Sequence, residues 1–259
     1  MTATDGKTIK SKHQPQRYPK MSIQTQPTIQ YPAPVTPRMA EYQYTLVIRH
    51  DDCPENPREW DNLGTFVSFD RNSCGADETS DDPEQYLIDM IEAFKDGFEQ
   101  KLIDKDENPS LNTLLEIVEK YYVILPVFKY EHSGVAYNTS GFSCQWDSGQ
   151  VGFIYVAKEV LHRVYGWKRI TADRVAKVND IMSGEIETFS QWANGNVYGF
   201  QLYYHDVEES HTSVEEQASC WGFYYQWVPD SLEELRECGI AEHLPQECLN
   251  DKLSIVFEY

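Results

Sequence analysis

One short stretch of the chain concentrates residue types that can do chemistry: Cys144-Gln145-Trp146-Asp147-Ser148-Gly149-Gln150, with His132 a short way upstream. A thiol becomes a nucleophile when a base takes its proton and a third group orients that base. Cys144, His132 and Asp147 have the types for such a set, and Trp146 and Gln150 beside them could contact a bound molecule. No G-x-S-x-G elbow accompanies them. The plainer account is a core cysteine, with Trp146 packed on a sheet and Asp147 closing a turn.

A second unusual segment runs from Asp51 to Asn62. It holds five carboxylates, Asp51, Asp52, Glu55, Glu59 and Asp61, together with Arg58 and Trp60. Oxygen clusters of this kind can hold Ca²⁺ or Mg²⁺. The spacing does not match an EF-hand loop, and Arg58 offers internal neutralisation, so Asp51 and Asp52 are weak metal candidates and no metal is expected. Turn capping by Asn56, Asp61 and Asn62 explains the polar residues more simply. Cys238, His243 and Cys248 are too widely spaced for a zinc pattern. Neither a P-loop nor a G-x-G-x-x-G occurs, so no cofactor is expected.

Charge bounds the partners. The chain of 259 residues carries 42 acidic and 22 basic side chains, a formal net charge of −20. Such a field repels polyanions, and a nucleic-acid surface needs clustered Lys and Arg, so direct nucleic-acid binding and docking on anionic lipid are both disfavoured. Val178 to Leu235 contains no Lys or Arg but holds Asp206, Glu208, Glu209, Glu215 and Glu216 among its acids. Lys158 to Lys177 is by contrast a basic island. The acidic stretch reads either as ordinary solvated surface or as a face that engages a basic groove. On the second reading Glu208, Glu209, Glu215 and Glu216 are binding residues beside Arg58, Trp60, Trp146 and Gln150.

The elements that must position these groups follow from periodicity. Strands are expected at Tyr42 to Arg49, Gly64 to Phe69, Ile124 to Tyr130, Gly134 to Thr139 and Gln150 to Ala157. Two aromatic-rich strands, Asn196 to Tyr204 and Ala218 to Val228, flank an acidic loop, and Leu253 to Tyr259 closes the chain. Asp82 caps a helix from Pro83 whose apolar face runs through Leu87, Met90, Ile91, Phe94 and Phe98. Ser110 caps a second. Lys158 to Tyr165 forms a third and Thr171 to about Asn194 a long fourth, with Gly184 a point where it could bend. Ser231 caps a short last helix. Strands and helices do not alternate regularly, so the expected fold is α+β: a mostly antiparallel sheet packed by several helices.

Residues 1 to 40 stand apart as a Pro-, Gln- and Thr-rich stretch with six basic residues against Asp5, expected to be a disordered tail. Residues 41 to 259 are expected to form a single α+β domain. The six cysteines form no C-x-x-C, no signal-peptide pattern opens the chain, and no apolar run reaches the roughly 18 residues of a membrane span, so a cytoplasmic protein is expected.

The block Asn56-Pro57-Arg58-Glu59-Trp60-Asp61-Asn62-Leu63-Gly64-Thr65 resembles one found in a family of uncharacterised phage-type proteins. His132-Ser133-Gly134, Cys144 to Val156, Tyr165-Gly166-Trp167-Lys168 and Val197 to Phe200 resemble its later blocks in the same order. The resemblance spans about Asp51 to Trp221 and leaves out the tail. It implies a virus-encoded protein acting in the cytoplasm of an infected bacterial host, and it brings no known activity. The expected function is that of an acidic accessory protein that binds a host protein with a basic surface, as a nucleic-acid mimic or an inhibitor of host defence. A hydrolase-like enzyme with a pocket between the 51–62 loop and the 144–150 turn is the rival, and a virion-associated structural protein is a third reading. Oligomeric state is not legible.

Overall fold

The computed structural model describes residues 43–105, 107–208, 211–249 and 253–258, the side chains of 206–208 and 211–213 excepted. The tail expected over residues 1 to 40 lies outside these. Among the described residues are nine strands and six α-helices in two mostly antiparallel sheets, an α+β fold.

The first sheet has the order β8-β7-β1-β9. β7 (Val197–Glu208) and β8 (His211–Tyr224) form a long hairpin, β1 (Tyr44–His50) pairs antiparallel with β7, and β9 (Leu253–Glu258) pairs parallel with β1. Leu46, Ile48, Phe200, Leu202 and Phe223 point to one face. They bury against Leu235 of α6 (Leu232–Glu237) and against Ile240, Leu244 and Cys248 of two following 3₁₀ turns.

The second sheet has the order β3-β2-β6-β4-β5 and is covered on both faces. Its centre is β6 (Ser148–Ala157), where Phe153 and Tyr155 face one layer of helices while Ile154 and Val156 face the other. Burial on both faces explains the continuous apolar run of that strand. Gly152 lies where β6 crosses β2 (Thr65–Ser68): a Cβ there would sit 2.0 Å from the Val67 carbonyl oxygen, so only glycine permits the approach. One layer comprises α1 (Pro83–Glu92), α2 (Phe98–Lys105) and α3 (Leu111–Val118), the other α4 (Lys158–Tyr165) and α5 (Ala172–Ala193). Val178, Met182, Ile186 and Phe189 of α5 recur at helical spacing and are fully buried. Each contributes roughly 1.5–3 kcal/mol by leaving water.

β5 (Val135–Asn138), paired antiparallel with β4 (Tyr122–Glu131), is an edge strand whose free amides are occupied. The Val135 amide donates to Asn194 Oδ1 (2.9 Å) and the Tyr137 amide to Ser190 Oγ (2.8 Å), so the end of α5 closes the sheet edge. β3 (Glu78–Thr79) closes the other side in a short parallel pairing with β2.

Asp82, Ser110 and Ser231 each accept an amide at a helix start, as their sequence positions indicate. Three expectations need correction. The apolar face expected to run on to Phe98 is broken: α1 ends at Glu92, and the chain turns through Gly97 at φ +72° before α2 begins. The Glu92 carboxylate accepts from the amides of Gly97, Phe98 and Glu99 and so caps α2, and those amide bonds hold its pKa below the usual carboxylate range. α5 runs through Gly184 without interruption, and that glycine faces solvent. The acidic segment after Tyr204 is largely strand, because β7 and β8 stay paired out to Glu208 and His211.

A partly buried ion cluster stands at one end of β4. Lys129 Nζ reaches Asp70 Oδ2 (2.9 Å) and Glu131 Oε2 (2.6 Å). Burial opposes the ammonium charge, but the bonds from Glu131 and Asp70 outweigh it and raise the Lys129 pKa. The Asp70 pKa is lowered, first by the Asn72 amide and then by Lys129. A depressed carboxylate stabilises the fold above its unfolded pKa of about 3.9, and that contribution is lost as pH falls through the folded-state value. Urea unfolding between pH 6 and pH 3 is therefore expected to show a steeper acid loss of stability for the wild type than for Asp70→Asn. Parallel curves would remove Asp70 from the account.

Candidate functional site

The 51–62 loop is built around Arg58. Asn56 caps a 3₁₀ turn, Pro57–Glu59, by accepting the Arg58 amide (3.0 Å), and its own side-chain amide donates to the Gly75 carbonyl (2.9 Å). The Arg58 side chain turns inward and is 2% exposed. Its guanidinium donates to Asp77 (2.6 Å), to Glu185 of α5 (3.2 Å) and to the Gly64 carbonyl (2.5 Å). The two carboxylates are occupied in turn: Asp77 accepts the Phe66 amide (2.6 Å), and Glu185 accepts those of Leu63 (2.7 Å) and Gly64 (3.1 Å). Arg58 thus neutralises two acids outside its own loop and is used internally. The loop is also pinned by Trp192 Nε1, which donates to the Pro54 carbonyl (3.3 Å), and by the Tyr224 hydroxyl, which donates to the Glu55 carbonyl (2.6 Å). Burial, then Glu55 and Asp51, push Tyr224 up to about 12. Trp60 meets Tyr224 edge to face at 5.2 Å and stays 43% exposed. Asp51 accepts the Cys53 amide (3.1 Å), a local turn bond. No group of three His, Cys, Asp or Glu side chains suited to a metal occurs among the described residues.

The 144–150 turn does bring Cys144, Asp147 and His132 together, with Asp147 in the middle. Cys144 Sγ lies 3.4 Å and His132 Nδ1 3.7 Å from the same oxygen, Asp147 Oδ2. Nucleophilic catalysis needs the base between the thiol and the carboxylate, and no hydrogen bond joins Cys144 to His132 among the described residues. The Ser148 hydroxyl donates to the Cys144 carbonyl, and the Glu131 amide to the Asp147 carbonyl (2.9 Å), so this turn stays on the β4–β6 ladder. Trp146 projects into solvent at 96% exposure, and Gln150 Nε2 donates to the Gly152 carbonyl (3.3 Å). No hydrogen bond or ring contact links this turn to the 51–62 loop among the described residues.

The acidic stretch divides. Glu185 faces inward on Arg58, and Glu234 receives the Ser231-capped end of α6 through the Asp230 amide (2.9 Å). Of the others, Asp180 and Glu187 lie on α5, Glu233 on α6, and Glu215 and Glu216 on β8. The β7–β8 ribbon continues past the Tyr44–Tyr204 pair to the Glu208–His211 pair, and the His205 amide there donates to the Gln43 carbonyl (2.9 Å). Glu215 and Glu216, opposite Tyr204 and Tyr203, are exposed on β8, as is Val214. The backbone of Glu208 lies in β7, whereas Glu209 falls outside the described residues. On the face of the sheet opposite Leu46 and Ile48, Glu216 accepts from Gln201 (3.4 Å), Gln201 accepts from Arg49 (2.6 Å), and Arg49 pairs with Glu258 (2.5 Å), a polar ladder across all four strands. The register slips at Gln217 and at Gly222, whose φ is +87°, so two bulges kink the edge strand and discourage addition of another strand.

Sequence reasoning missed the partners of Arg58, because Asp77 and Glu185 are distant in the chain. It also missed a cleft of about 800 Å³, which is lined by none of the residues singled out from the sequence. The polar run Gln191 to Asn196 at the end of α5 was the available signal. No family model, no curated protein and no solved structure matches this chain.

Removing one member of a buried ion cluster leaves the others uncompensated, at a cost of about 3–5 kcal/mol. Arg58→Met should lower the urea midpoint accordingly. Arg58→Lys should rescue little, since an ammonium cannot reproduce the planar fork that reaches Asp77, Glu185 and Gly64 at once. Wild-type stability in either variant would mean the cluster is not structural.

Proposed function

We propose that the protein acts by binding, presenting the acidic β7–β8 ribbon to a basic surface of a protein partner. The observation that carries this reading is the exposure of Glu215 and Glu216 on the edge strand β8, opposite Tyr204 and Tyr203, on a stretch without Lys or Arg. Because the bulges discourage strand addition, recognition runs through side-chain charge, and opposite potentials speed the encounter. The best-fitting partners are proteins whose own basic groove serves nucleic acid, for which the ribbon competes as a mimic. With the blocks that resemble phage-type proteins, the reading is of an accessory protein that engages a host protein, a defence protein included, in the cytoplasm of an infected bacterial cell. Among the described residues no helix is long and apolar enough to cross a membrane.

The immobilised full chain is to be exposed to bacterial lysate at low salt. The reading expects retained proteins that are released by duplex DNA, retained equally by Glu116→Gln/Glu119→Gln, and lost with Glu215→Gln/Glu216→Gln. Both pairs are exposed and remove the same charge. Equal retention by the two variants, or proteins that DNA does not release, would contradict it.

A further inference from the structure

A cleft of about 800 Å³ lies between the end of α5, the edge strand β5, the start of β7 and the segment after β8. That volume suits a small molecule. The lining is unusual for so acidic a chain. It contains no Lys or Arg and a single carboxylate, Glu187, and otherwise mixes carboxamide, hydroxyl, aromatic and aliphatic groups. A phosphorylated or carboxylated ligand would find no cation there.

The polar groups are held at one end and open at the other. Gln191 Oε1 accepts from Asn196 Nδ2 (3.0 Å), which also donates to the Gln226 carbonyl (3.3 Å). Asn194 Oδ1 accepts the Val135 amide. These bonds fix which end of each amide is oxygen and which is nitrogen. Gln191 Nε2, Asn194 Nδ2 and Asn196 Oδ1 have no partner among the described residues. The cleft therefore offers fixed donors and acceptors in alternation, with the Glu187 carboxylate as a further acceptor. His50 Nδ1 faces the Gly195 carbonyl (3.2 Å), which leaves Nε2 as an acceptor when the ring is neutral. At the rim Trp227 is 63% exposed, a flat apolar face with nothing packed over most of it.

From this arrangement we infer that the cleft is a binding site for a neutral saccharide. Vicinal hydroxyls both donate and accept, which matches carboxamides held at one end, and the C–H face of a sugar ring is the apolar surface that stacks on an exposed tryptophan. The site is separate from the ribbon, so either assignment can fail without the other.

The test is titration of the full chain, followed by tryptophan fluorescence and calorimetry, with the trisaccharides of N-acetylglucosamine and of glucose as probes and adenosine and ATP as controls. Saturable binding of at least one trisaccharide is expected, weakened about tenfold or more by Trp227→Ala and by Gln191→Ala, each such factor being about 1.4 kcal/mol. Circular dichroism of both variants should match the wild type, and Glu215→Gln/Glu216→Gln should bind the sugar normally. Failure of both trisaccharides to bind, tighter binding of adenosine or ATP, or unchanged affinity in folded Trp227→Ala would overturn the assignment.

Discussion

The arrangement of this protein depends on one buried cation. A guanidinium withdrawn from water is tolerated only where carboxylates and carbonyls replace its hydration, and those groups must converge from wherever the chain carries them. Arg58 draws them from three places: Asp77 ahead of β3, Glu185 in α5, and the Gly64 carbonyl at the entry to β2. The acids are then bonded to the amides of Leu63, Gly64 and Phe66. A loop, a helix and a strand are thereby fixed to one another through charge-assisted hydrogen bonds, which are directional in a way that apolar packing is not.

What lies downstream on α5 inherits that constraint. The turn of helix after Glu185 carries Ser190 and Asn194 to the amides of β5, closing a sheet edge that would otherwise be open to another chain. The same helix brings Glu187 and Gln191 to the cleft. The acidity of the protein therefore has distinct uses. Glu185 and Asp77 hold the body together, Glu187 stands alone among neutral polar groups, and Glu215 and Glu216 remain in solvent on the ribbon.

Much of the fold was legible because burial imposes a period. The runs that become β6, α4 and α5 show their type directly, since both faces of one strand and one face of each helix must leave water. The break after Glu92 was hidden, because Phe94 and Phe98 keep helical spacing across a turn that Gly97 and the Glu92 cap create. The outer part of the hairpin reads as a loop in the sequence because acidic residues signal solvent, and solvent exposure does not prevent backbone pairing. Local sequence also made Arg58 look available to a ligand: its neighbours are acidic, but its partners come from elsewhere in the chain. Cys144, Asp147 and His132 illustrate the converse. Their proximity was legible, while the order in which they touch, which decides what chemistry they can do, was not.

Native-state hydrogen exchange at the amides of Leu63, Gly64 and Phe66 tests the structural role of Arg58 most directly. These amides bond to the carboxylates that Arg58 neutralises. The account predicts that they exchange only through global unfolding, with the same free energy of opening as the buried amides of β6. Exchange through a local opening, well below the global stability, would show that the loop moves independently of the cluster and would contradict the account.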